Sequence, residues 1–160
     1  MKKYSLIIII ALFISCKNDL KVNKDTLDYS IEFPDTIIVD KKYNGRILYQ
    51  STLDTLTTSF DDEYHRYVFL CMRKTDNINY SFEELKRKEL DTIGADNYRE
   101  IAIYNISFST KGVQYIDGII VDEAIYDISK DKKNVPNDSL FRHIVHEFRV
   151  NKKVVVIDKE

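Results

Sequence analysis

The feature that most limits the fold is a series of long runs rich in β-branched and aromatic residues, interrupted by very few helix signals. "YHRYVFLCMR" at 64–73 and "REIAIYNISFS" at 99–109 are apolar at consecutive positions through their middles. Runs of this length and composition predict strands with apolar residues on both faces, not buried helices. The first is expected at the centre of a sheet, and the second buried on both faces through 101–104. "GVQYIDGIIVDEAIYDIS" at 112–129 carries Asp117-Gly118 between β-branched and aromatic residues. That dipeptide predicts a short hairpin, the alternative being one long strand with a bulge at Gly118.

The flanking segments have the same character. Tyr29, Ile31 and Phe33 alternate with polar residues up to Pro34, which predicts a short edge strand. Asn44-Gly45 predicts a type I′ turn joining strands at about 36–42 and 46–51. Residues 52–63 read as a loop or ragged strand, and 129–138 as a loop. One helix start stands out: Ser81 with Glu84 makes a capping box, and Phe82, Leu85 and Leu90 fall near one face. That helix is expected to end near Asp91, with Gly94 just beyond. The β-α-β alternation of a parallel sheet is missing. The expected fold class is therefore mainly β (α+β): an antiparallel β-sandwich or curled sheet with one short helix near 82–91.

The N-terminus carries a different signal. Lys2 and Lys3 precede an apolar run at 6–14, followed by Ser15 and Cys16. The order of charge, apolar segment and small residue predicts a secretory signal peptide, itself helical. Its apolar run is far too short to cross a bilayer, which takes about 20 residues. "FISC" at 13–16 resembles the lipobox of bacterial lipoproteins, with Phe13 where leucine is usual. The resemblance covers these first sixteen residues and implies cleavage before Cys16, with lipid attached to its thiol and amine. Three acyl chains anchor stably where one does not. Lys17, where aspartate would favour inner-membrane retention, implies an outer-membrane anchor facing the periplasm or the surface. A flexible tether to residue 28 and a single β-rich domain over 29–160 would follow.

Losing residues 1–15 removes two lysines and no acid, taking the net charge from −2 to −4. Acids and bases are interspersed, with no basic stripe of the kind that binds nucleic acid. Of the two cysteines, Cys71 would be left unpaired if Cys16 is lipidated, and it reads as a buried small hydrophobe. The domain must then be held by its core alone. The Asn-x-Ser matches at 105–107 and 137–139 are chance matches behind a bacterial signal.

Chemistry-bearing motifs are sparse. "RHIVHEFR" at 142–149 holds His143, His146 and Glu147. On a helix the two imidazoles would share a face and reach one metal. On a strand they point to opposite faces and the site vanishes. The residues are β-branched and aromatic, so the expected element is a strand over 140–150, paired with 154–158 as a terminal hairpin, and no metal is expected. "FDDEYH" at 60–65 reads as loop acids with His65, without calcium-loop spacing. Asp122-Glu123 is a carboxylate pair whose meaning depends on the fold. No nucleophile elbow, phosphate loop or dinucleotide fingerprint is present, and no cofactor is expected. The eleven tyrosines read mostly as core, and an exposed aromatic row would point to ligand binding. The functional expectation is a lipid-anchored envelope protein, non-enzymatic, binding a protein partner or serving a structural role. The alternatives are a hydrolase-like envelope enzyme and an immunity-type protein that neutralises a toxin at the membrane.

Overall fold

The computed structural model describes residues 28–55, 64–127 and 141–159. The signal peptide, Cys16, the tether before residue 28, the acids at 61–63 and the loop at 129–138 lie outside the described residues. The chain runs β1 (Asp28–Glu32), β2 (Thr36–Ile38), β3 (Tyr43–Gln50), a 3₁₀ turn (Thr52–Thr55), β4 (Tyr64–Thr75), α1 (Phe82–Lys86), β5 (Asp91–Gly94), β6 (Glu100–Ile106), β7 (Gly112–Asp127) and β8 (Phe141–Ile157). Two sheets form, in the orders β1-β3-β6 and β2-β8-β7-β4-β5. The fold is mainly β, and every pairing is antiparallel except β2 with β8.

Period-two alternation explains how the sheets meet. Val68, Leu70 and Met72 of β4, Ile116 and Ile120 of β7, and Val150, Val154 and Val156 of β8 share one face of the larger sheet. They pack with Ile47 and Tyr49 of β3 and Ile101 and Ile103 of β6 in one apolar core. Each such aliphatic side chain contributes about 1.5–3 kcal/mol by leaving water. β1 is an edge strand, as its alternation and Pro34 imply. The apolar middle of β4 is not buried on both faces: its even positions are buried, whereas Tyr67 is exposed and Phe69 and Cys71 are half-buried. In β6, residues 101–103 are buried on both faces, but Tyr104 is exposed.

Three expected turns do not form. Asn44 and Gly45 lie inside β3, and the chain reverses instead at Asp40, whose φ is 58°. Gly45 is needed for close approach: a Cβ there would sit 2.6 Å from the Glu32 carbonyl and 2.7 Å from the Phe33 ring. Asp117-Gly118 neither turns nor bulges, since β7 keeps unbroken register with both neighbours. A Cβ at Gly118 would lie 2.7 Å from the Cys71 carbonyl. Residues 151–153 continue β8 opposite Asp117, Ile116 and Tyr115, so the terminal hairpin gives way to one strand over Phe141–Ile157. A long ladder to β7 satisfies more backbone groups than a two-stranded hairpin would.

The helix is shorter than expected. The capping box is present, with Ser81 and Glu84 bonded reciprocally, but α1 stops at Lys86 with Arg87 as its C-cap. Leu85 is its one buried residue. From Asp91 the chain instead pairs with β4 as strand β5, because a single apolar anchor does not hold a longer helix to the sheet.

Candidate binding groove and two buried ion clusters

β7 carries two carboxylates inside its apolar run. Asp117 and Asp122 are five residues apart, so they project to opposite faces, and both are 0% exposed. A buried carboxylate must be paired, and each is gripped bidentately by an arginine from a neighbouring strand.

On the core side, Arg66 Nε and Nη2 donate to Asp122 Oδ1 and Oδ2 at 2.8 and 2.6 Å. Its Nη1 donates to Asp54 Oδ1 at 2.8 Å. Asp54 sits in the 3₁₀ turn, which this bond ties to the larger sheet, and Arg99 Nε lies 3.6 Å from its other oxygen. Burial opposes the charge on Arg66, but its hydrogen bonds to Asp122 and Asp54 outweigh that, and its pKa is raised. The Tyr49 hydroxyl has no hydrogen-bond partner among the described residues. Burial and then the charge of Asp122 raise its pKa.

On the outer face, Arg149 Nε donates to Asp117 Oδ1 at 3.0 Å and Nη2 to Oδ2 at 2.9 Å. The Tyr80 hydroxyl donates to Oδ2 at 2.6 Å. Arg149 also donates to the carbonyls of Tyr80 and Ile78 at 2.7 and 3.1 Å. The segment leading into α1 is thereby pinned to the sheet. Burial, then the bond to Asp117, pushes the Tyr80 phenol up to about 12.

Beside the core-side cluster lies a groove of about 760 Å³ between β4 and the end of β5. Tyr67 and Phe69 line it from β4, Thr92 and Gly94 from β5, and Asp96, Asn97 and Tyr98 from the chain beyond. The Tyr98 ring lies 5.0 Å from the Arg66 guanidinium carbon, a cation–π contact. Tyr67 and Tyr98 are 52% and 49% exposed. At Gly94 an added Cβ would meet nothing within 4 Å.

The residues singled out in the sequence are dispersed. His143 projects from the outer face, with Nε2 2.5 Å from Glu123. His146 projects to the core side, half-buried, with Nδ1 3.2 Å from the Thr52 hydroxyl. Glu147 is on the outer face, bound by Lys86 at 2.6 Å. The three do not converge, and among the described residues no group of three His, Cys, Asp or Glu side chains could hold a metal. Asp122 and Glu123 face opposite ways. His65 is exposed and stacks on Tyr67 at 6.5 Å. Cys71 is half-buried against Thr92, with Sγ 3.7 Å from its hydroxyl, not fully in the core. Sequence reasoning passed over Arg66 and Arg149, and read Asp117 only as part of a turn and Asp122 only as one of a carboxylate pair. The available signal was a charge within an apolar strand, which has to find a partner. No protein-family model matches the chain, and no curated protein does.

Proposed function

We propose that this chain is a lipid-anchored protein of a bacterial cell envelope, held at the outer membrane through Cys16 and facing the periplasm or the surface. Its β domain acts as a non-catalytic module that binds an envelope protein through the groove at Tyr67, Phe69 and Tyr98. The anchor rests on "FISC" at 13–16. The binding role rests on one observation: two large rings left half in water on the rim of a mostly apolar groove. Rings of this kind, amphipathic and stiff, are what protein interfaces bury at their centres.

Gly94 supplies the test. A Cβ there meets nothing within 4 Å, so a leucine is expected to project into the groove. The Cys16-anchored wild type, used as bait on detergent-solubilised envelope, is expected to hold a stoichiometric protein partner that Gly94→Leu and Tyr67→Ala lose, with circular dichroism unchanged. Equal capture by all three overturns the groove reading. The anchor is tested separately: Cys16→Ser should abolish acyl labelling and release the protein from the membrane fraction. Retained labelling overturns it.

A further inference from the structure

We infer that the outer ion cluster is an oxyanion site, with Arg73 and Lys88 as the residues that receive a phosphate group. Arg73 stands on β4 directly across the ladder from Asp117. It has no share of that carboxylate, whose oxygens are taken by Arg149 and Tyr80. Arg73 is half-buried, and its Nε is buried without an acceptor. Among the described residues it makes no ion pair.

Lys88 stands against Tyr80. It is half-buried after α1, its Nζ 4.7 Å from the centre of the Tyr80 ring. Arg149 lies 4.9 Å from the same ring centre. The acid facing Lys88 is Glu84, whose Oε2 is occupied by the Ser81 N–H. Lys88 and Arg149 thus flank the Tyr80 ring and Arg73 stands across from Asp117, and two acids answer these three cations: Asp117, held by Arg149, and Glu84 beside Lys88. The surplus positive charge sits on a guanidinium with a desolvated and unused N–H, which suits an oxyanion. A phosphate monoester carries about −1.5 to −2 at neutral pH and takes guanidinium forks in its oxygen geometry. The group could arrive as free phosphate or on a lipid headgroup. The inference does not depend on the groove.

The experiment uses the full chain carrying Cys16→Ser, so that no anchor drives membrane binding. Inorganic phosphate is titrated at constant ionic strength and followed by melting temperature. In parallel, the protein is mixed with phosphatidylcholine vesicles with and without phosphatidic acid. Saturable stabilisation by phosphate, weakened at least tenfold by Arg73→Gln and by Lys88→Gln, assigns a free-phosphate site. Vesicle binding that needs phosphatidic acid and is lost in the same variants, without a phosphate effect, assigns the headgroup. If Arg73→Gln fails to fold, Lys88→Gln decides. Absence of both effects, or binding unchanged in the glutamine variants, overturns the inference.

Discussion

Asp117 and Asp122 lie on one strand, and an arginine from a neighbouring strand grips each bidentately, yet their surroundings differ in charge balance and closure. Around Asp122 the charges balance: Arg66 answers both Asp122 and Asp54, Arg99 stands at the other Asp54 oxygen, and the Arg66 side chain is 3% exposed. Around Asp117 the balance is basic, and Arg149 keeps 24% of its side chain exposed. The core-side cluster is a closed internal tie between the 3₁₀ turn and the larger sheet. The outer one is a latch for the 78–88 segment that leaves a cation over. Similar ion-pair geometry on two faces of one strand therefore serves two purposes, and the surplus charge distinguishes them.

The largest effect expected is from Asp122→Ala. It leaves two donors of a nearly fully buried guanidinium without an acceptor, only the Asp54 bond remaining, and denaturant unfolding should show a loss of about 3–5 kcal/mol. Gly118→Ala comes next. Its Cβ would press on the Cys71 carbonyl and push β4 from β7, loosening both clusters because Arg66 and Arg73 ride on β4. A loss of about 1–3 kcal/mol is expected. Asp117→Ala should cost less than Asp122→Ala, about 1–3 kcal/mol, because Arg149 keeps two carbonyl acceptors and access to solvent. If the two alanine variants lose equal stability, the distinction between tie and latch fails.

Tyr80 sharpens the comparison through pH. Its folded pKa, about 12, lies above the ordinary 10.0. The unfolded chain therefore gives up that proton first, so this stabilisation is complete below pH 10 and disappears as pH rises through 12. Tyr80→Phe should flatten the alkaline decline in stability relative to wild type, and an unchanged slope would deny that burial and the Asp117 bond hold the phenol's pKa up. The smallest effect is expected at Gly94→Leu, within about 0.5 kcal/mol by thermal unfolding, since its Cβ would meet nothing within 4 Å.

Local chemistry in this sequence announces elements better than connections. The capping box at Ser81 and Glu84 and the edge strand before Pro34 are both where the residues place them. Asn44-Gly45 and Asp117-Gly118 misled because glycine has two uses. It permits a turn, and it permits close packing, and here both glycines serve the second. What crowds a glycine comes from residues distant in sequence, so the dipeptide alone cannot say which use applies. The groove was half legible: Tyr67 and Phe69 stand in an obvious strand, but Tyr98 reaches them only because Asp91–Gly94 pairs with β4. The ion clusters were legible in principle, as charges at Arg66, Asp117 and Asp122 within apolar runs.

The claim that the two clusters differ in kind is tested most directly by denaturant unfolding of Asp117→Asn and Asp122→Asn, each with and without phosphate at fixed ionic strength. The account predicts the greater loss in Asp122→Asn, and recovery by phosphate only in Asp117→Asn, where removing the carboxylate leaves Arg149 unanswered beside Arg73. Equal losses, or phosphate recovery that is the same in both variants, would contradict it.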